Sequence, residues 1–302
     1  MQVSMKKHTT NKLAAAKLVA AIAALIAGTA ATDARASTIS LGSYASLFQG
    51  VSEITATVDG HAAAIVRVDL TAPGIGFTTT APYSGGANEV MKQTTGQFLT
   101  QTGAQVAIDA NRYSNNDNQP TATTFSGLEV SNATVVNPDQ SGFASLLIGT
   151  GNQASIVAGG SVSLTGVQFA IAGTQGTILT NGVNNAVSDG QSAARAGLGL
   201  AQNGQYLYLM DVSSVTLGEE SDLFNSIGAW NAINLNGGGS AMLDVSNGNG
   251  GVTELNHTTE KYVGPNLGIY AAPLQPVPLP PAIALFGSGL LSLLGFGRRK
   301  SA

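Results

Sequence analysis

Apolar residues in the body of this chain come in short runs closed off by glycine, asparagine or serine, and that punctuation limits the fold more than any other feature. The runs are Ala64 to Leu70, Gln105 to Asp109, Ser161 to Ala172, Gln205 to Val212, Ala232 to Leu235, Ala241 to Val245 and Asn266 to Ala271. Each is too short for a packed helix of ordinary length and several alternate, so all seven are expected to be strands. Two longer stretches are expected to be helices. In Asn88 to Gly103 the residues Val90, Met91, Thr94, Phe98 and Leu99 share a helical face and Gly103 is placed to end it. In Thr216 to Gly228, Thr216 and Glu219 have capping-box spacing ahead of Leu223, Phe224 and Ile227. Many strands, a few helices and no βαβ alternation predict an α+β domain: a twisted mixed sheet with a few packed helices.

Composition narrows the chemistry. With 38 glycines in 302 residues, 10% charged residues and no glycine-every-third pattern, the chain is neither a coiled coil, a collagen nor a basic nucleic-acid binder. It has no cysteine, which removes disulfides, thiolate catalysis and zinc-thiolate sites. There is no GxxxxGK[ST] sequence, nor a GxSxG in the body. The body's two histidines, His61 and His257, lie far apart in sequence without carboxylates at ligand spacing. Both are expected to be surface or structural residues, and no metal site or cofactor is expected.

The two ends read differently from the body. Residues 1–36 hold Lys6, Lys7, Lys12 and Lys17, an uncharged stretch from Leu18 to Ala31, and the small-x-small triplet Ala34-Arg35-Ala36, the pattern of a secretory signal peptide cut by signal peptidase. Residues 271–281 are a proline-rich spacer with five of the ten prolines. Residues 282–302 are an apolar segment closed by Arg298, Arg299 and Lys300. The uncharged stretch from Pro280 to Gly297 would be about 27 Å long as a helix, enough to reach across a bilayer. Without the two ends, residues 37–270 form one expected domain, in which five basic residues stand against sixteen acidic ones. An anionic ligand must then be held by a local site, because the overall field repels it.

The tail, with VPLPPA followed by LFGSGLLSLLGFGRRK, resembles the PEP-CTERM sorting signal. The resemblance implies a Gram-negative host that makes extracellular polysaccharide and processing by an exosortase-type enzyme. It also implies transient anchoring at the inner membrane, followed by a cell-surface or extracellular location.

Within the body, NAINLNGGGSA brings three glycines and Ser240 together between two expected strands, where backbone amides can converge on a phosphate or carboxylate oxygen. A glycine-rich hairpin that only turns the chain is the alternative. Arg195 in SAARAGLGL is either paired with a buried carboxylate or free to clamp a phosphate in bidentate fashion. These two motifs, together with QYLYLMDV, TLGEE, GAQVAIDANRYSNN, SGLEVSNATVV and KYVGPNLGIYA, resemble in their order the phosphodiester glycosidase family, over Ile54 to Tyr270.

That resemblance implies cleavage of the glycosidic C–O bond of a sugar-1-phosphodiester, with Arg195 at the place of an arginine that stabilises the leaving phosphate. Gly237, Gly238, Gly239 and Ser240 match a substrate-binding turn. Asn111 falls in the VAINANFF-type segment as a binding residue, and Glu219 matches a family glutamate, although its capping role explains it equally. The sequence departs from the pattern at Asp109 (usually asparagine), Asn236 (usually aspartate), Ser213-Ser214 (Asp-Gly in many relatives), Arg112 (an aromatic) and Ala196 (threonine). A carboxylate relocated from position 236 to Asp109 across a shared pocket gives Asp109, Arg195 and Asn236 as the expected catalytic set. A degenerate domain that binds a glycan without cleaving it is the second reading.

Overall fold

In the run Tyr206 to Val212 the side chains alternate between two apolar environments. Leu207 and Leu209 enter one core, whereas Tyr208, Met210 and Val212 enter another. A strand apolar on both faces must lie between two layers, and period-two alternation then fixes which layer each residue meets. In the computed structural model, which describes residues 37–86, 88–187, 190–257 and 259–275, that strand lies inside the largest sheet. Its contacts divide the chain into residues 1–37, of which only Ser37 is described, and residues 38–302.

The largest sheet contains β1 (Ile39–Leu41), β2 (Ala45–Phe48), β3 (Val51–Val58), β4 (His61–Asp69), β14 (Leu179–Thr180), β15 (Val183–Asn184), β16 (Ala193–Ala201), β17 (Tyr206–Val215) and β18 (Ala229–Gly237). Its order is β1-β3-β4-β17-β16-β18-β14-β15, with β2 also on β3. A second sheet runs in the order β10 (Thr134–Asn137), β9 (Glu129–Ser131), β13 (Val167–Ala172), β11 (Ser145–Gly149) and β12 (Ala154–Val157). A third runs in the order β20 (Val252–Leu255), β19 (Leu243–Ser246), β7 (Val106–Asp109), β21 (Asn266–Tyr270) and β5 (Gly76–Thr79). Strands β6 (Glu89–Met91) and β8 (Ala122–Thr124) pair by themselves.

Every strand pairing among the described residues is antiparallel. The described residues hold two α-helices, α1 (Thr95–Thr102) and α2 (Leu217–Ser226). The expected α+β class with a mixed sheet is therefore corrected to a mostly β protein. The physical reason is visible between Asn88 and Gly103, where Glu89 to Met91 pair with Ala122 to Thr124 instead of opening a long helix. Helix α1 begins only after Thr94, whose side chain accepts the Gln97 N–H (3.1 Å) while Gln97 caps in return. It ends at Gly103 in the left-handed conformation, φ 73°.

One face of the largest sheet contributes Val66, Val68, Leu198, Leu209 and Ile233 to a core shared with Ile108, Leu243 and Leu267 of the third sheet and Leu146, Ile148 and Ile171 of the second. On the other face Ile65, Tyr208 and Met210 pack with Leu223 and Phe224 of α2. Gly197 and Gly199 permit that approach. A Cβ at 199 would stand 2.6 Å from the Phe224 ring, and one at 197 would stand 2.3 Å from Glu220 Oε1. The ARAGLG motif is thus a seat for α2. Among the described residues no helix is long and apolar enough to cross a membrane. The expected signal peptide, the sorting segment and most of the spacer lie outside the described residues.

Candidate active site

Asp211 continues the parity of Leu207 and Leu209, so β17 carries its carboxylate into the interior between the largest and third sheets. There it meets groups from three other elements. His257, on the chain after β20, places Nδ1 3.3 Å from Asp211 Oδ2 and Nε2 3.4 Å from Asp244 Oδ1 on β19. Glu260 follows on the same loop, and its Oε1 accepts the Gly96 N–H (3.2 Å) in the first turn of α1. Asp109, at the end of β7, accepts the Met242 N–H through Oδ1 (3.0 Å), while its Oδ2 is buried without a hydrogen-bond partner. A pocket of about 360 Å³ opens beside this cluster, lined by Asp211, Gly238, Gly239, His257, Glu260 and Lys261 among others.

Burial dominates the electrostatics. It raises the Asp109 carboxyl well above the ordinary range against the Met242 hydrogen bond, and nearby Asp211 raises it further. Burial raises Asp211 too, partly offset by the His257 imidazole facing it at 3.3 Å. Asp244 is pushed up to about 8, by burial first and by Glu260 and Glu254 next, despite the pull of His257. For His257, burial works against charge, but the facing Asp211 and the field of Asp244 outweigh it and lift the imidazole to about 9. Near neutral pH the imidazolium of His257 therefore faces Asp211, and the Asp244 carboxyl resists ionisation.

The glycine-rich turn forms another wall. Gly238 has φ 60°, and a Cβ at 238 or 239 would meet nothing within 4 Å, so the turn presents bare backbone to the open side. Ser240 is buried and its Oγ lies 3.0 Å from the Tyr113 hydroxyl. Tyr113 in turn donates to Asn116 Oδ1 (3.2 Å), and Asn118 accepts the Tyr262 N–H (2.8 Å), which ties the 113–119 loop to both sides of the pocket. The buried Lys92 anchors this loop, donating to Asn115 O (3.0 Å) and pairing with Asp117, whose carboxyl it holds below the usual range. Lys92→Met is expected to free the loop. Amide hydrogen exchange at 114–121 should accelerate at least tenfold, about 1.4 kcal/mol of lost local protection, and unchanged exchange would show that Lys92 does not hold it.

Of the residues expected to form one site, the structure brings only some together. Gly238 and Gly239 line the pocket, with Asp109 behind it. Arg195 does not line it. Its backbone pairs with Gly237, but its parity is that of Gly197 and Gly199, and its side chain leaves on the α2 face. There Nε donates to Val215 O (2.8 Å) and Nη2 donates to Gln191 O (3.0 Å), and burial raises the Glu220 carboxyl well above the usual range, an effect the guanidinium only partly offsets. Asn236 accepts the Gly237 N–H (3.1 Å), and its Nδ2 is buried without a partner.

Asn111 is wholly engaged in structure, donating to Ser126 O and Leu128 O and accepting the Ala172 N–H. Glu219 caps α2 by accepting the Thr216 N–H (2.6 Å). Asp211, Asp244, His257 and Glu260 are the residues that sequence reasoning missed. His257, which has no carboxylate at ligand spacing in the sequence, is brought between two aspartates by the fold.

A mostly antiparallel β domain with a buried acid–imidazole cluster beneath a glycine turn is the class that the fold and site define. The sequence profile of the phosphodiester glycosidase family matches residues 102–270, more than half of the chain, and the chain belongs to that family. No curated protein matches it. Among solved structures, it resembles the catalytic domain of zebrafish N-acetylglucosamine-1-phosphodiester alpha-N-acetylglucosaminidase, auto-inhibited by its pro-peptide. That match has a TM-score of 0.51 and 16% identity, covering 79% of this chain and 84% of that one. A putative exported protein from Burkholderia pseudomallei has a TM-score of 0.52 and 11% identity, with 72% and 74% covered. The chain spans 62% of the length of a hypothetical protein from Synechocystis, at 13% identity, TM-score 0.49 and 74% of this chain.

Proposed function

We propose that the chain hydrolyses a sugar-1-phosphodiester at its glycosidic C–O bond, in the pocket beside Asp211. The observation that carries this is a carboxylate only 2% exposed that nevertheless lines a pocket, backed by an imidazole 3.3 Å away. Lys261 and the bare backbone at Gly238 and Gly239 are the groups on that wall suited to a phosphate. Asp211 takes the proton of a water whose oxygen bonds to the anomeric carbon. The C–O bond breaks, its electron pair leaves with the phosphate, and the phosphomonoester and free sugar result. Asp109 supports the site from behind, and the Arg195 side chain lies outside it, bonded to Val215 O and Gln191 O.

The test is incubation with UDP-N-acetylglucosamine and a panel of other sugar-1-phosphodiesters. Free sugar is the expected product, and absence of sugar release from the whole panel would sink the proposal. Asn236, standing where the family resemblance expects a carboxylate, favours the second reading, a glycan-binding matrix protein. That reading predicts retention on polysaccharide without turnover.

The setting is proposed from sequence alone: export directed by residues 1–36 and exosortase processing of the PEP-CTERM-like tail, placing the domain among extracellular polysaccharide. The intact mass of the protein from its native host tests this. A mature form lacking both ends is expected, and one retaining residues beyond Leu285 would refute the processing.

A further inference from the structure

We infer that Asp244, His257 and Glu260 form a site for one divalent transition-metal cation, of the manganese or zinc type. One ligand atom from each residue lies within 4.8 Å of the other two. Donors around a single ion at bond lengths of about 2.0–2.3 Å fall within that span.

The second observation is the state of the buried acids. Asp244 is 0% exposed, and neither of its oxygens has a hydrogen-bond partner. His257 Nε2, facing it at 3.4 Å, has none either. Asp109, equally buried, leaves Oδ2 unpartnered within electrostatic reach of both Asp244 and His257. Buried polar atoms are ordinarily paired, because leaving them unpaired costs free energy. A cation is a partner that would serve several of these atoms at once.

The surroundings are arranged to hold such ligands. His257 Nδ1 is hydrogen-bonded to Leu255 O (3.1 Å) with the Asp211 carboxylate in ion-pair range at 3.3 Å, which leaves Nε2 for the ion. Glu260 is held by the Gly96 N–H, and a Cβ at position 96 would stand 2.7 Å from Glu260 Oε1 and 3.4 Å from Asp244 Oδ2. The cradle therefore depends on glycine at that position. An imidazole nitrogen with two carboxylates suits manganese or zinc better than calcium or magnesium, which take oxygen donors. His257 and Glu260 also line the pocket, so remaining coordination positions would open toward it.

The test measures binding rather than turnover, so its failure is distinguishable from failure of the proposed hydrolysis. The chain is stripped by chelation and titrated with Mn2+ or Zn2+. Bound metal is measured by mass spectrometry after gel filtration, and Mn2+ occupancy by loss of the free-ion paramagnetic signal. One ion per chain is expected. Glu260→Gln and Gly96→Ala should each weaken binding at least tenfold, and His61→Gln, altering the histidine at the start of β4, should leave it unchanged. Both test variants must retain the circular dichroism spectrum of the parent. Gly96→Ala removes no ligand, so it reports on the cradle even where a ligand change disturbs folding. No uptake, uptake unaffected by either variant, or equal affinity for Ca2+ and Mn2+ would each overturn the assignment.

Discussion

Replacing Asp211 by asparagine is expected to lower kcat/KM for sugar release by about 10²–10⁴-fold, the usual contribution of a positioned general base. An amide has the size of the carboxylate and can keep a hydrogen bond to its surroundings, but it cannot accept the proton of the attacking water. Asparagine also removes a negative charge beside His257, so its effect on folding is to be measured separately. A thermal midpoint within a few degrees of the parent would assign the lost rate to chemistry. Asp109→Asn provides the comparison. Asp109 is 0% exposed and does not line the pocket, and its Oδ1 bond to the Met242 N–H can be kept by an amide oxygen. Its rate loss should therefore be much smaller than that of Asp211→Asn. Turnover unchanged in Asp211→Asn would exclude it as the base, and a larger loss at Asp109 would return the catalytic carboxylate to the residue that the family departures single out.

The contrast between these two aspartates shows which parts of the site were legible. All seven expected strands overlap a real one, because alternation or apolar runs of that length leave little else to form. The Thr216–Glu219 capping box is present as read. Strand β9 and most of the second sheet escaped notice, since runs such as Glu129 to Ser131 are short and are stabilised by partners distant in sequence. Val90 and Met91 fit a helical face equally well, but pairing with β8 decided their conformation.

At the site, Asp211, Asp244, His257 and Glu260 converge from separate elements, and no local spacing announces a cluster that only sheet topology assembles. One signal was nevertheless available. Asp211 occupies the interior parity of an otherwise apolar strand, where a charged residue without a function is expensive. Arg195 illustrates the converse: its motif was recognised, but the same period-two rule turns its side chain away from the glycine turn that its backbone touches.

The second large effect lies away from the pocket. Glu129 on β9 is 0% exposed, both its carboxyl oxygens lack a hydrogen-bond partner, and burial alone lifts its carboxyl well above the ordinary range. Below the ordinary glutamate pKa, near 4.3, the group is protonated whether the chain is folded or not, so it imposes no pH dependence there. Above that value the unfolded chain releases the proton while the folded chain retains it. Protons bound in the folded state then exceed those in the unfolded state, and stability must fall as pH rises, by about 1.4 kcal/mol per pH unit for a single group, until the folded pKa is reached. Glutamine keeps the shape and removes the titration. In Glu129→Gln the unfolding free energy, measured in denaturant between pH 5 and pH 8, should therefore fall less steeply than in the parent, whatever offset the unpaired amide adds at every pH. Parallel profiles for parent and variant would mean that Glu129 ionises in the folded protein as readily as in the unfolded chain, and that water or another donor reaches it within β9.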